Sequence, residues 1–157
     1  MLTEQNEDGS WYYWGSQERL HKGIDSLHQC YIIENLFYCY KINKNREVKK
    51  SIDKGIEYFE RSFPRDDFLI SKFPNSPNYL ELIDQAESIS MFIALGKLLV
   101  AQKIIESTFR YFKVKDKPYF YSAIANVRKI KVPYIRWGHS QMLLALLLFL
   151  SNVKNRD

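Results

Sequence analysis

Two kinds of helix recur in pairs along the chain, and this recurrence limits the possible folds more than any other feature. The first helix of each pair is apolar on nearly all sides, at 27–42 and at 82–100. The second is apolar on one side only, at 48–63 and at 101–112. A helix that is apolar all round is buried in a soluble domain, whereas a one-sided helix covers its outside. The sequence therefore predicts antiparallel helical hairpins, each with an inner and an outer helix.

A third inner helix is predicted at 138–153, and an irregular segment precedes each inner helix, at 8–23, 64–79 and 114–133. The repeat spacing is about 55 residues, from Asp25 to Asp84 to Arg136. Hairpins repeated at a fixed period form an open solenoid or a closed ring. Very apolar inner helices and long linking segments favour the ring. The residues at 117–121 are rich in β-formers and predict a short hairpin strand.

Composition indicates a single domain over residues 1–157 and excludes several classes of protein. With 46% hydrophobic and 26% charged residues, the chain is neither disordered nor membrane-spanning. Its two cysteines, Cys30 and Cys39, lie about 13 Å apart on one predicted helix, too far for a disulfide. We interpret them as two buried thiols of a cytoplasmic protein, and no signal peptide is visible at the N-terminus.

The net charge of +5 is concentrated at 41–50 and at 113–131. A basic excess can serve nucleic acid, anionic lipid or anionic polysaccharide. No zinc-finger, RNP or phosphate-loop motif accompanies it, so solvated turns and helix ends are favoured over nucleic-acid binding. The histidines and cysteines lack metal-binding spacing, and no cofactor fingerprint is present. The sequence thus predicts neither a metal site nor a cofactor.

Polar residues precede each inner helix, and equivalent ends of parallel repeats would place them on one rim. Asp25 and His28 are three residues apart on one helix face, where a carboxylate can orient an imidazole for acid–base chemistry. Asp84 would be a second carboxylate. The alternatives are that both aspartates cap helices and that His28 is a core residue. Arg136 begins an inner helix, where the helix dipole disfavours a cation, so we expect an anionic partner, either an acidic side chain or a ligand carboxylate.

Aromatic residues are concentrated in the same segments, chiefly Trp11, Tyr12, Tyr13, Trp14 and Trp137. They can stack on sugar rings, or they can fill the ends of the repeats. The candidate site therefore has Asp25, His28 and Asp84 as catalytic residues. Its candidate substrate-binding residues are Trp11, Tyr13, Arg136 and Trp137.

The segment Gln5-Asn6-Glu7-Asp8-Gly9-Ser10-Trp11 resembles the Gln-x-x-Asp-Gly-x-Trp motif of the terpenoid cyclase and protein prenyltransferase toroids. That motif ties an outer helix to the next inner one. The acidic Asp-x-Asp-Asp run of the cyclases is not present.

Most of the chain, through 8–11, 25–28, Asp84 and 134–138, is similar to a group of α/α-toroid proteins associated with bacterial polysaccharide metabolism. These are akin in architecture to six-hairpin glycosidases, polysaccharide lyases and glucuronyl epimerases. Where that group has Arg-Trp-Gly-Gln-Ala-Trp, this chain has Arg136-Trp137-Gly138-His139-Ser140-Gln141, without the final aromatic residue.

The resemblance implies an all-α fold of about two and a half hairpins that forms part of an α/α toroid. The chain is then the C-terminal half of a ring, or it pairs with another copy of itself or with another chain. The resemblance also implies carbohydrate processing, with a glycan or small sugar as ligand. Acid–base chemistry on an acidic glycan by hydrolysis, elimination or epimerisation is one outcome. A non-catalytic helical-repeat module that binds a protein or a glycan is the alternative.

Overall fold

The computed structural model describes residues 2–13, 23–74 and 76–154, and in these ranges it contains five α-helices and one small sheet. The helices are α1 (Ser26–Asn43), α2 (Arg46–Ser62), α3 (Leu82–Ala94), α4 (Leu98–Phe112) and α5 (Ser140–Lys154). The strands are β1 (Tyr79–Glu81), β2 (Ala123–Ala125) and β3 (Arg128–Ile130). Among the described residues, no helix is long and apolar enough to cross a bilayer.

The helices form two layers, as the hairpin pattern predicts. In the inner layer, α3 packs between α1 and α5, while α2 covers α1 and α4 covers α3. Helix α3 is the centre of the core, and Leu82, Ile89 and Phe92 on it are buried. The outer helix α2 buries Val48, Ile52 and Phe59 and exposes its charged side. The prediction of an all-α fold of antiparallel hairpins is confirmed.

The turn between α3 and α4 differs from the prediction. The inner helix was expected to continue to residue 100, but it ends at Ala94, and α4 already begins at Leu98. Gly96 has a φ of +75°, a left-handed conformation that glycine adopts without a steric penalty. Lys97 N–H then donates to Phe92 C=O at 2.8 Å, which satisfies a carbonyl at the helix end. The continuous apolar pattern concealed this turn.

The strand expected at 117–121 is displaced along the chain. The antiparallel sheet has the order β1-β2-β3, and β2 begins only at Ala123. The β2–β3 hairpin turns at Asn126, whose φ of +53° suits a tight turn. Pro118, by contrast, lies in an exposed turn after α4 and has no N–H to donate to a ladder. Leu82 N–H donates to Ser122 C=O at 2.9 Å, so the sheet is joined to the start of α3.

A glutamine near the start of each inner helix marks the period of the repeat. Gln29, Gln85 and Gln141 are spaced by 56 residues, the difference between successive positions. Gln29 Nε2 donates to Trp11 C=O at 2.7 Å, and its Oε1 accepts from Trp11 N–H at 3.2 Å. Gln85 does the same to Ile70, at 2.7 Å and 2.8 Å. Gln29 and Gln85 thereby each satisfy both backbone groups of a residue in the segment before their helix.

This spacing corrects the predicted alignment of the repeats. In the structure Asp84, directly before Gln85, corresponds to His28, directly before Gln29; the residue that corresponds to Asp25 is Glu81. In the third repeat Gln141 instead accepts from Gly138 N–H at 3.0 Å. The contact with the preceding segment is made by His139, whose Nε2 lies 3.1 Å from Phe120 C=O.

The N-terminal motif at 5–11 joins the two helices of the first hairpin. Gln5 Nε2 donates to Gly9 C=O and to Ser51 C=O of α2, each at 2.9 Å. Trp11 is buried against Gly55 of α2, while Gln29 of α1 holds its backbone. The segment therefore binds both helices of the first hairpin. Because its indole is buried, Trp11 is not available to a ligand in this structure, contrary to the substrate-binding role expected from the sequence.

Two expectations about burial are wrong in part. Cys30 is buried as predicted, but Cys39 on the same helix is exposed. Helix α5 was predicted to be buried, yet only Met142 and Ala145 of it are. Its neighbours α3 and α4 cover one side, and the opposite side consists of exposed leucines.

Candidate functional site

The starts of the three inner helices meet around one cavity of about 420 Å³. Leu27 comes from the first turn of α1, Ile83 from that of α3, and Trp137 from the short π-type turn Ile135–His139 before α5. The rest of the wall comes from the sheet and its flanking segments, namely Lys72, Tyr79, Glu81, Ser122, Ala123, Ile130 and Tyr134. The three polar clusters of the sequence therefore lie at the same end of the inner layer. A cavity of this size accommodates a small ligand.

Asp25 and His28 form a compact pair at the start of α1. Asp25 is the N-cap, and its Oδ1 accepts from His28 N–H at 2.9 Å. The same carboxylate also lies 2.8 Å from His28 Nδ1. Burial raises the pKa of Asp25, but the hydrogen bonds from His28 and the nearby positive charges outweigh it, so the pKa is lowered. An ionised carboxylate only accepts, so Nδ1 carries the proton and the Nε2 of a neutral ring is an acceptor.

The imidazole lies at the surface among aromatic rings. The His28 side chain is 34% exposed, and Tyr13 packs edge-on against it with centroids 4.1 Å apart. Tyr31 lies on the ring at 6.2 Å, also edge-on. Asp25 therefore has both of the roles considered from the sequence, because its one carboxylate caps the helix and orients the imidazole. His28 is not a core histidine packed on aliphatic side chains.

Asp84 lies behind this surface on α3 and is fully buried. Burial raises its pKa to about 7; Lys72 opposes this shift, and the charges of Glu81 and Asp25 add to it. The hydroxyl of Ser26 is close enough to lower the pKa, although no hydrogen bond of normal geometry reaches Ser26 Oγ or the carboxylate oxygens of Asp84 from the described residues. None of the three predicted catalytic residues lines the cavity. Asp25 and His28 lie beside Leu27 at the start of α1, and neither carboxylate oxygen of Asp84 reaches solvent.

Three residues of the candidate site, Lys72, Tyr79 and Glu81, were not identified from the sequence. Lys72 Nζ donates to Glu81 Oε2 at 2.7 Å, and Tyr79 O–H donates to Glu81 Oε1 at 2.9 Å. Burial lowers the pKa of Lys72, but the carboxylates of Asp84, Glu81 and Asp25 outweigh it, so the pKa is raised. The polar–apolar–polar pattern at 79–81 is typical of a strand with one buried face and could have indicated β1. No sequence pattern of this kind marks Lys72.

Arg136 and Trp137 form an adjacent pair beside the cavity. Trp137 lines the cavity, and the Arg136 guanidinium lies 5.8 Å from its ring centroid, a cation–π distance. Gly138 makes the sharp bend that follows, with a φ of +105°. Among the described residues, Arg136 forms no ion pair with a carboxylate. It is therefore not joined to Asp25 or Asp84.

The remaining aromatic candidates are divided between surface and core. Tyr13 contacts His28 at the surface, whereas Tyr12 is half-buried. Trp14 lies outside the described residues. In the described ranges, no group of three or more His, Cys, Asp or Glu side chains is placed to hold a metal ion.

Comparison with known proteins finds likeness in structure and none in sequence. No protein-family model matches the chain, and no curated protein matches it. A cellobiose 2-epimerase from Spirochaeta thermophila DSM 6192 superposes with a TM-score of 0.81 at 12% identity, covering 98% of this chain and 45% of that one. The chain has the α/α-toroid fold.

Two further toroids are similar over a smaller part of the chain. A D-mannose isomerase gives a TM-score of 0.67 at 12% identity, covering 83% of this chain and 37% of the isomerase. A sugar epimerase from a ruminal bacterium gives 0.63 at 14% identity, covering 80% and 36%. The chain thus spans less than half the length of each of these toroids. In toroid terms, α1, α3 and α5 are inner helices, and α2 and α4 are outer helices.

Proposed function

We propose that the cavity at the start of the inner helices binds a sugar and that Asp25 and His28 move a proton on it. The observation that carries this proposal is the orientation of the His28 imidazole by an ionised Asp25, 2.8 Å away, on the first turn of α1. Leu27 of the same turn lines the cavity, although Asp25 and His28 themselves do not. An imidazole whose Nδ1 is held by a carboxylate is suited to general acid–base catalysis.

The structural neighbours support the choice of sugar as ligand. The three toroids compared above are named as a cellobiose 2-epimerase, a D-mannose isomerase and a sugar epimerase. Trp137 and Tyr79 offer aromatic surfaces in the cavity, and Lys72 and Glu81 offer a donor and an acceptor for hydroxyl groups. A largely apolar wall with a few polar groups is typical of small-molecule sites.

The proposed reaction is proton transfer at a sugar carbon next to a carbonyl. His28 Nε2 takes the proton from that carbon, the electron pair moves into the carbonyl to give an enediolate, and return of a proton completes an epimerisation or isomerisation. Asp25 stabilises the imidazolium formed in the first step. Asp84 acts through its neighbours, because its charge raises the pKa of Lys72. It is therefore a positioning residue in this proposal, in place of the direct catalytic role expected from the sequence.

An acidic glycan is the finer form of the proposal. Arg136 has no ion-pair partner among the described residues and lies beside Trp137 of the cavity wall, so it is available to a uronate carboxylate. Lys72, by contrast, is already paired with Glu81. Comparison of glucuronate with neutral sugars tests this preference.

The experiment measures exchange of the C2 proton in deuterated water by NMR, with mannose, cellobiose and glucuronate as probes. We expect exchange with at least one sugar, and a loss of at least about 100-fold in His28→Ala and Asp25→Asn. Asp53→Asn, which changes an exposed aspartate on α2, is the matched control and should keep the wild-type rate.

Two outcomes contradict catalysis. Unchanged exchange in both site variants would remove the roles of Asp25 and His28. Sugar binding without exchange in the wild-type chain would favour the non-catalytic binding module, for which the helix-capping bond of Asp25 is the supporting observation.

A further inference from the structure

Helix α5 carries an apolar surface that nothing in the described chain covers. Its outward side exposes five leucines, which we call the leucine face: Leu143, Leu144, Leu147, Leu148 and Leu150, between 38% and 60% exposed. No Asp, Glu, Lys or Arg occurs in α5 before Lys154. A contiguous exposed patch of this kind marks an interaction site, because isolated surface leucines are ordinary but a whole helix side is not.

The leucine face is one of two open edges of the inner layer. Helix α3 is packed on both sides, by α1 and by α5, whereas α1 and α5 each have one inner neighbour. The α1 edge is also partly apolar, with Tyr31, Tyr38 and Ile42 exposed. In a ring of repeats, such edges are the two surfaces that the next hairpin on either side would cover.

The share of a toroid that this chain supplies indicates what covers both edges. The chain matches 45% of the cellobiose 2-epimerase over nearly all of its own length. Two copies would therefore amount to almost the whole length of that toroid. We propose that a second copy of this chain docks on the leucine face, with α5 of each copy against α1 of the other, so that two equivalent contacts close a ring.

The geometry of the inner layer fixes how the two edges would meet. The starts of α1, α3 and α5 all lie at the cavity, so these helices run in the same direction. A ring keeps that direction, and α1 of one copy should then lie parallel to α5 of the other. Residues at equal depth would be neighbours, and Ser151 lies two repeats of 56 residues after Cys39. Cys39 is exposed on α1, and Ser151 is exposed on α5 on the same side as the leucine face.

The first test measures the mass of the whole 157-residue chain in solution by light scattering during size-exclusion chromatography. We expect a dimer, twice the chain mass of 18.7 kDa. The double variant Leu143→Glu with Leu147→Glu should be monomeric, because four charges would be desolvated across the two contacts. Leu99→Glu is the matched control, since Leu99 is 76% exposed on α4 and outside both edges. It should remain dimeric, and circular dichroism should show native helix content in all three proteins.

The second test distinguishes the ring from other dimers and does not depend on the charged variants. Ser151→Cys, oxidised with copper phenanthroline, should form a disulfide between copies with Cys39, identified by peptide mass spectrometry. The crosslink should disappear when Cys39→Ser is added.

A monomeric or polymeric wild-type chain would overturn the proposal, as would a dimer that survives the double substitution in α5. A crosslink that persists without Cys39 would show that two α5 helices pack on each other, and it too would overturn the ring. None of these outcomes bears on the sugar chemistry proposed above.

Discussion

His28 and Asp84 hold equivalent positions in successive repeats, each directly before a glutamine that binds both backbone groups of a residue in the preceding segment. The His28 ring is one-third exposed and held by Asp25, whereas Asp84 has no access to solvent. One position of the repeat therefore supplies a surface imidazole in the first hairpin and a buried carboxyl group in the second. This difference makes the two residues separable by experiment.

The burial of Asp84 predicts a specific dependence of stability on pH. The carboxyl ionises near 3.8 when unfolded and at about 7 in the folded chain. Below the unfolded pKa both states hold the proton. As the pH rises from 3.8 towards 7, the unfolded chain releases the Asp84 proton while the folded chain still holds it. The folded chain is therefore progressively disfavoured until Asp84 is ionised in both states. The free energy of unfolding of the wild type, relative to Asp84→Asn, should fall by as much as about 4 kcal/mol between pH 4 and pH 8.

Urea unfolding of both proteins across that pH range measures the difference. The pKa of Glu87 is also raised, to about 6, by burial and by the charge of Glu34, but Glu87 is present in both chains and its contribution largely cancels. A difference that does not change with pH would show that Asp84 ionises in the folded chain as it does in water.

The glutamine contacts predict a second effect on stability. Gln85 binds Ile70 N–H and C=O, both in the buried interior, so Gln85→Ala would leave two backbone groups without partners. We expect a loss of about 2 to 4 kcal/mol in the free energy of unfolding, because an unsatisfied buried group costs about 1 to 3 kcal/mol. Gln102→Ala on the exposed side of α4 is the matched control and should change stability by less than about 0.5 kcal/mol. Equal effects of the two substitutions would contradict a bracing role for Gln85.

The contact between Trp11 and α2 predicts a third effect. A Cβ at Gly55 would lie 2.7 Å and 2.8 Å from ring atoms of Trp11, so Gly55→Ala forces the indole or the helix to move. We expect destabilisation of about 1 to 3 kcal/mol, the range for overpacking a core. Gly23→Ala is the control, because a Cβ there meets nothing within 4 Å. Chemical denaturation of the two variants checks this, and a stable Gly55→Ala protein would mean that Trp11 is not held as the structure shows.

The architecture could be predicted from the sequence because apolar patterning reports burial directly. The helices predicted to be apolar on all sides form the inner layer, and those predicted to be apolar on one side form the outer layer. The predicted range 27–42 agrees with α1 to within one residue at each end. The end of α3 was missed because Gly96 interrupts an apolar run that continues into α4. The exposure of α5 was missed because composition shows that a helix is apolar, while the presence of a neighbour depends on the rest of the assembly.

The candidate site was less predictable, because it depends on contacts between distant segments. The pair Asp25 and His28 is local and follows from helix spacing. Lys72, by contrast, lies in the linking segment, which is joined to α1 where Ser26 N–H donates to Lys72 C=O at 3.0 Å. The distance between Arg136 and the aspartates likewise depends on the bend at Gly138. Trp11 was assigned to the rim because aromatic residues in a loop look alike in sequence whether they are buried or exposed.

Trp137 offers the most direct test that the cavity binds a sugar at all. Its ring lines the cavity and is 62% exposed, and Arg136 lies over it, so an apolar sugar face can stack on the ring while the guanidinium binds a hydroxyl or carboxylate. Trp137→Ala should lower the affinity for mannose, cellobiose or glucuronate about tenfold, which corresponds to about 1.4 kcal/mol and to a lost aromatic contact. Calorimetric titration measures the affinity, and Tyr111→Ala, which removes an exposed ring from α4, should leave it unchanged. If both variants bind as the wild type does, the ligand lies elsewhere, because an occupied cavity would place the sugar against Trp137 whatever reaction follows.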